Sequence, residues 1–316
     1  VPIPDFKGVT VAVSGGAGFI GSHLVDALVE RGAKVTVLDD LSAGFERNLD
    51  AVKDRIRFLK GDIRDPDACR EAITGASYVF HLAARGSVPR SMVDPVPTID
   101  INVRGTATVL AACRDAKVPA VVYASSSSVY GDSTTLPKRE GEEGKPLSPY
   151  AVSKVMNEQL ADVFSRCYTM KILGLRYFNV YGPRQDPNGP YAAVVPRFFA
   201  AVRRGEPPTI YGDGEQSRDF TYVSDVVRAN LLAAGATASA WGSAYNVAPG
   251  GGITVNTLAK AIVSACNGGP APVYQPPRPG DIVHSRADSS AAASAFEFRA
   301  EVSLEEGIRR TGVSRA

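Results

Sequence analysis

Over its first 180 residues the chain alternates short, nearly unbroken apolar runs with helical patterns. The runs are VTVAVSG (9–15), AKVTVLDD (33–40), IRFLKGD (56–62), SYVFHLAA (77–84), AVVYASS (120–126) and MKILGLRYFNV (170–180). A strand with one wet face alternates apolar and polar residues, whereas a strand covered on both faces stays apolar throughout. Helical stretches such as 21–32 and 103–116 separate these runs. The pattern predicts an α/β fold, a Rossmann-type doubly wound parallel sheet. After about residue 180, Pro and Gly cut the chain into shorter pieces, as in RRGEPPTIYGDGE (203–215) and GGPAPVYQPPRPGD (268–281). A smaller, loop-rich α/β lobe is expected there. The helical stretch 220–236 is an exception, and the segment 217–248 is expected to pack back on the first domain.

Charge and composition narrow the function. The 316 residues carry 35 Lys and Arg against 33 Asp and Glu, a net charge of +2. So even a balance gives no case for nucleic acid or an anionic membrane as partner. No apolar run is long enough to cross a bilayer, and the first residues lack a secretion-signal pattern. Val1 stands where a start methionine is expected, which suggests trimming or processing. Cys69, Cys113, Cys167 and Cys266 are scattered, as are His23, His81 and His284. Neither set has disulfide or metal-ligand spacing, so free thiols in a reducing cytoplasm and no metal are expected.

The stretch VSGGAGFIGSHL (13–24) sets Gly15, Gly18 and Gly21 between the first strand and the first helix. Small residues let the backbone approach a pyrophosphate, and the helix offers its N-terminal N–H groups. At the end of the second strand stands Asp39. A carboxylate there accepts from adenosine ribose hydroxyls and repels a 2′-phosphate, which favours NAD over NADP. Asp40 is equally placed by sequence alone, and either could simply start a turn. Asp62, closing the third strand, could accept from an adenine amine. The predicted domains are therefore 1–178 for NAD and 179–316 for substrate.

Tyr150 and Lys154 are four apart in SPYAVSKVMNE (148–158), on one face of a helix. A free phenol, with a pKa near 10, is a poor base at neutral pH. A neighbouring ammonium and a cationic nicotinamide favour the phenolate and make Tyr150 a usable proton acceptor.

Together these features resemble the extended, nucleotide-sugar-modifying branch of the short-chain dehydrogenase/reductase superfamily. Within it the chain looks like a UDP-hexose 4-epimerase, similar to those acting on UDP-N-acetylglucosamine. The resemblance spans nearly the whole chain, through GGAGFIGSHL (15–24), LDDLS (38–42), GDIRD (61–65), HLAA (81–84), NVRGT (102–106), SSSSVYG (125–131), YAVSK (150–154), LRYFNVYGPRQ (175–185), DGEQSRDFTYVSDV (213–226) and RPGD (278–281). It implies Ser126, five residues before Gly131, as the hydroxyl partner of Tyr150, with Lys154 completing the catalytic set. It implies NAD contacts from Phe19, Ile20, Asp39, the loop Asp40, Leu41, Ser42, Ala43 and Gly44, then Asp62, Ile63, Leu82, Ala83, Ala84, Asn102, Tyr150, Lys154, Tyr177 and Phe178, with Ser125 near the cofactor. It implies UDP-sugar contacts from Ser126, Ser127, Tyr150, Asn179, Ala193, Val194, Tyr211, Arg218, Arg278 and Asp281. The two arginines suit a diphosphate. A homodimer through helices around 95–116 and 149–167 is also implied.

The implied reaction oxidises C4 of the hexose, turns the 4-keto sugar and reduces its other face, with NAD recycled. Dehydratases of this branch carry an acid–base pair in a T-D-E-x-Y-G stretch beside the catalytic hydroxyl. Here Ser127 and Ser128 occupy those positions, and a serine is no carboxylate base. A dehydratase, a uronate epimerase and a non-catalytic NAD-binding protein remain as alternatives. In the epimerases a large Tyr four residues after the Asp of RPGD excludes N-acetylated sugars. Here that position is Ser285, and Gly86, Ser87 and Ala193 are also small. The expected substrates are UDP-GlcNAc and UDP-GalNAc, with UDP-Glc and UDP-Gal as further candidates. Ser285 could equally be an ordinary loop serine.

Overall fold

The structure is a computed structural model that describes residues 2–188, 192–277 and 283–313. In chain order the first half comprises β1 (Thr10–Ser14), α1 (Phe19–Glu30), β2 (Lys34–Asp39), β3 (Ile56–Lys60), α2 (Pro66–Ile73), β4 (Tyr78–His81), α3 (Val88–Val93), α4 (Pro95–Ile99), α5 (Gly105–Asp115), β5 (Ala120–Ser126), α6 (Pro149–Tyr168) and β6 (Ile172–Tyr177). The second half adds β7 (Val180–Tyr181), α7 (Val194–Arg203), β8 (Thr209–Tyr211), β9 (Ser217–Arg218), β10 (Thr221–Tyr222), α8 (Val223–Ala233), β11 (Ala244–Val247), β12 (Ile253–Thr254), α9 (Val255–Ala265), β13 (Val273–Gln275), β14 (His284–Ser285), α10 (Ser290–Phe296) and α11 (Leu304–Val313).

Seven parallel strands form the main sheet in the order β11-β6-β5-β4-β1-β2-β3. Apolar side chains leave both faces. On one face Leu24, Val25 and Leu28 of α1 and Val226, Leu231 and Ala233 of α8 bury against Val13, Val37 and Leu175. On the other, Cys69 and Ile73 of α2 and Val109, Leu110 and Cys113 of α5 bury against Val79 and Val121. Each fully buried Leu contributes roughly 1.5–3 kcal/mol, which explains why these strands lack polar alternation. β1 lies between β2 and β4, so the chain leaves it in opposite directions. Open α/β sheets bind ligands at that switch point, beyond the carboxyl ends of the strands.

The predicted six strands are present, and β11 is a seventh. It belongs to the segment 217–248, whose helix α8 also packs on the first domain's core. The main sheet thus draws on residues beyond 178. The run 170–180 is not one strand: β6 ends at Tyr177, Asn179 takes φ +31°, and β7 pairs with β10 instead. A third core, with Phe198 and Phe199 of α7, Leu258 and Ile262 of α9 and Ile308 of α11, organises the second lobe. No helix among the described residues is long and apolar enough to cross a membrane.

Candidate active site

The glycine turn is built for close approach. Gly15 takes φ +73°, and a Cβ there would lie 2.5 Å from the Ala83 amide nitrogen. A Cβ on Gly21 would lie 2.0 Å from the Gly15 carbonyl oxygen. Leu82, Ala83 and Ala84 therefore run directly against the turn after β1. Gly18 precedes α1 with extended backbone. The N–H groups of Phe19, Ile20 and Gly21 open the helix, with its positive dipole end at the crevice.

Asp39 closes β2 and is buried. Its Oδ2 accepts from Ala17 N at 2.9 Å and its Oδ1 from Leu41 N at 2.8 Å, tying the glycine turn to the 40–44 loop. Burial pushes the carboxyl's pKa up, and both amides oppose that. Phe45 N and Asn48 Nδ2 both donate to Ala17 O, and Gly44 lies against the same residue, which brings Leu41, Ser42 and Ala43 to the turn. Asp40 is exposed and accepts from the amide and hydroxyl of Ser42, the turn role open to it by sequence. A glycine-rich turn, a helix N-terminus and a carboxylate at the end of β2 fit a dinucleotide. Asp62 is engaged by Arg64, which also pairs with Asp100 at 2.6 Å and holds the Asp62 carboxyl below its ordinary range. Ile63 is core and packs on Gly105.

The other half of the crevice is set by β5 and α6. Ser148 caps α6, its Oγ accepting from Ala151 N at 3.1 Å, and Pro149 opens the first turn. Tyr150 and Lys154 thereby stand on successive turns facing the end of β5. The Lys154 ammonium lies 5.9 Å from the Tyr150 ring centroid and donates to Ala124 O at 2.8 Å. Burial pushes Lys154 down to about 8. Burial raises Tyr150, and its hydrogen bond with Ser126 opposes the rise. Ser126 thus meets Tyr150. Its Oγ also accepts from Ser128 N at 3.2 Å, which starts the turn carrying Ser127 and Ser128. Ser128 Oγ is buried and has no hydrogen-bond partner among the described residues.

Some expected contacts take another form. Ser125 turns away from Ser126, as strand alternation requires, and its Oγ donates to Glu158 at 2.5 Å. The Tyr177 hydroxyl is spent on Asn230 in the core between β6 and α8. Asn102 sits in a π-helical turn (Asp100–Arg104), accepts from Arg85 N at 2.8 Å and donates to Ser153 Oγ at 3.0 Å. It braces the 82–87 loop against α6. Phe178 is fully buried beside Tyr130.

The second lobe closes over this edge. Arg218 lies on β9, opposite Ser285 in register on β14. Its Nη1 donates to Ser217 O at 2.8 Å and to Val283 O at 3.0 Å. Asn179 Nδ2 donates to Asp219 O at 3.0 Å. The Asp219 carboxylate accepts from Gly252 N and Ala287 N, joining three segments of the lobe. Ala193 and Val194 form the start of α7, and Tyr211 ends β8. Ser87 caps α3 through Arg90 N at 3.2 Å, beside exposed Gly86. Arg278 and Asp281 lie outside the described residues. Among the described residues no group of His, Cys, Asp or Glu side chains is arranged to hold a metal. Sequence reasoning missed Glu158, Arg176 and Asp219. The available signals were a carboxylate one helical turn after Lys154 and a charge inside each of two apolar strands' neighbourhoods.

A doubly wound sheet with a glycine turn, a β2 carboxylate and a Ser–Tyr–Lys set at the switch point defines an extended short-chain dehydrogenase/reductase. Residues 11–248 match the NAD dependent epimerase/dehydratase family, and the chain belongs to it. It is 40% identical over 308 residues to a UDP-glucose 4-epimerase of Mycolicibacterium smegmatis, covering 95% of this chain and 96% of that one. A UDP-N-acetylglucosamine 4-epimerase from Methanobrevibacter ruminantium, solved with UDP-N-acetylmuramic acid, superposes with a TM-score of 0.92 at 41% identity, covering 97% of each chain. A Thermotoga maritima UDP-glucose 4-epimerase solved with UDP-glucose gives 0.91 at 39%, covering 96% of this chain and 97% of that one. The cofactor is NAD, as the family and neighbouring complexes with it establish.

His81 beneath the site has a defined tautomer. Thr106 Oγ1 donates to Asn102 O at 2.6 Å, so it accepts from His81 Nε2 at 2.9 Å, and Nδ1 accepts from Ser14 Oγ at 2.6 Å. Burial, with the Lys154 charge adding to it, pushes His81 from 6.5 to about 3. The folded-state pKa is depressed, so this contribution to stability is present above pH 6.5 and is lost as the pH falls toward 3. Between pH 6.5 and pH 5 the group should cost about 2 kcal/mol of unfolding free energy. Denaturant titrations across that window should show a shallower loss in His81→Gln; an equal slope would place the acid sensitivity elsewhere.

Proposed function

We propose that this chain is a UDP-sugar 4-epimerase that interconverts UDP-GlcNAc and UDP-GalNAc and also accepts UDP-Glc and UDP-Gal. The observation that carries the reading is Tyr150 held between Ser126 and Lys154, with hydroxyls in place of carboxylates at positions 127 and 128. Bound NAD supplies the hydride acceptor and donor at C4 and a positive charge near the phenol. Gly15, Gly18, Gly21 and the start of α1 hold its pyrophosphate, and Asp39 its ribose. Tyr150 as phenolate takes the proton of the sugar 4-hydroxyl, and Ser126 hydrogen-bonds the same oxygen. Lys154, fixed on Ala124 O, stabilises the phenolate. Arg218 anchors the diphosphate, so binding energy resides away from the hexose. The 4-keto sugar turns about that anchor, and Tyr150 returns the proton on the other face. Without an acid–base pair at 127 and 128 the site has no means to eliminate water.

The Arg218–Ser285 register supports the substrate preference, because a small side chain opposite the anchoring arginine leaves room beside it for an N-acetyl group. A homodimer is part of the proposal. Met92, Val93 and Val96 of α3 and α4 and Val152, Met156 and Val163 of α6 are exposed apolar side chains in the region expected to pair.

Purified protein given UDP-GlcNAc without added cofactor should yield UDP-GalNAc, and Tyr150→Phe should lose at least about a hundredfold in kcat. A 4-keto-6-deoxy product, or full turnover by Tyr150→Phe, would contradict the mechanism. Ser285→Tyr should lower kcat/KM for UDP-GlcNAc at least about tenfold more than for UDP-Glc; equal losses would remove Ser285 as the size gate. In sedimentation the protein should run as a dimer, and Val96→Glu with Met156→Glu as a monomer. A double variant that remains dimeric would exclude this face.

A further inference from the structure

Behind the Tyr150–Lys154 pair lies a buried ionic cluster that the proposed proton transfer does not itself use. Glu158 follows Lys154 by one turn of α6. Its Oε1 accepts from Ser125 Oγ at 2.5 Å and Arg176 Nε at 2.9 Å, and its Oε2 from Arg176 Nη2 at 2.8 Å. Arg176, with a side chain 7% exposed, also donates to Glu143 and, at 3.0 Å, to the Tyr130 hydroxyl. One guanidinium therefore faces two carboxylates. One helical turn before Glu158 stands an ammonium whose hydrogen-bond acceptor is a neutral carbonyl, Ala124 O. Arg176 is thus shared between Glu143 and Glu158, and Lys154 is the second cation of the cluster. A buried cation with no balancing charge discharges instead.

We propose that Glu158 is a positioning residue for the proton transfer: clamped by Arg176 and Ser125, its carboxylate keeps the Lys154 ammonium charged and in place beside Tyr150. The proposal rests on the reading of Tyr150 and Lys154 given above. Ser125 makes the arrangement specific. It is adjacent to Ala124, the Lys154 acceptor, and to Ser126, the Tyr150 partner. Glu158 thus grips the strand end from which both catalytic contacts project. Other charged or titratable groups face this cluster. They are Tyr123 of β5, His81 of β4, Tyr130 in the turn after β5, Glu140 in the loop before α6, and Tyr150 and Asp162 on α6. His81 is neutral, Asp162 is half-exposed and paired with Arg166, and Tyr150 is the group the lysine serves, so Glu158 is the standing carboxylate one turn from Lys154. The same balance appears in the lysine's ionisation, where burial lowers the pKa and Glu158 opposes the fall.

The test compares wild type, Glu158→Gln, Glu158→Asp and Tyr150→Phe. The Lys154 side-chain carbon shift, followed by NMR against pH and assigned through Lys154→Arg, should titrate about one pH unit lower in Glu158→Gln. The alkaline limb of kcat/KM should move down by the same amount. Glu158→Asp, which keeps the charge, should leave both near wild type. Should Glu158→Gln fail to fold, Glu158→Gln with Arg176→Gln leaves no orphaned guanidinium and should show the same shift. A purely structural Glu158 would lower the melting temperature in both single variants and move neither titration, which overturns the proposal. Full activity in Tyr150→Phe would instead overturn the reading beneath it.

Discussion

The Lys154 ammonium donates to the Ala124 carbonyl at 2.8 Å, and that bond ties the helix carrying the phenol to the strand carrying the serines. The Ser125–Glu158 bond joins the same helix and strand one turn further on. Tyr150 stands in the first turn of α6, where backbone order is weakest, and Ser126 is the last residue of β5. The Ser148 cap, the Ser91 hydroxyl on Tyr150 N at 3.1 Å and the Asn102–Ser153 bond each restrain that turn. Burying an ammonium for this purpose costs stability, and the cost explains the buried carboxylates behind it. The same burial lowers the lysine to about 8, close enough to neutrality for its charge to depend on its neighbours.

The crevice combines opposite electrostatic demands. At β1 and β2, helix and turn amides present positive charge, while Asp39 places a negative one 22 residues on and spends it partly on those amides. The result is a preformed frame in which the glycine turn, the 40–44 loop and the Ala83 backbone are mutually fixed. In the second lobe the Asp219 carboxylate does similar work with backbone N–H groups of Gly252 and Ala287. Burial pushes it up, and those amides, with the nearby Arg286 charge, oppose the rise. Arg218 stands on β9 in register with Ser285 of β14, and its Nη1 is held by the Ser217 and Val283 carbonyls.

Much of this was legible in the sequence because it depends on local order. Gly15, Gly18 and Gly21 fall between a strand and a helix, and Tyr150 and Lys154 share a helical face; both follow from spacing. The hydroxyls of Ser125 and Tyr177 are engaged elsewhere, on Glu158 and Asn230, for a different reason. Each neighbours a site residue in a strand, and alternation turns neighbours to opposite faces. Counting parity from Ser126 would have sent Ser125 toward Glu158. β11 escaped notice because AYNV is short and half polar, and its pairing with β6 spans about 70 residues that no local pattern records. The Glu158–Arg176 pair is 18 residues apart, on a helix and a strand, and only the packed sheet brings it together. A carboxylate one turn after Lys154 and an arginine inside the apolar run 170–180 were the sequence's hints of it. Arg278 and Asp281 stay expectations of the resemblance.

The central claim is that one phenol serves both faces of a sugar while the hydride leaves C4 and returns to it within one closed site. Deuterium placed at C4 of UDP-GlcNAc tests this directly. Turnover in ordinary water, without added cofactor, should give UDP-GalNAc that retains the deuterium at C4, because only hydroxyl protons exchange through Tyr150. Product that has lost the label to solvent, or that forms only with stoichiometric reduced cofactor, would contradict the account.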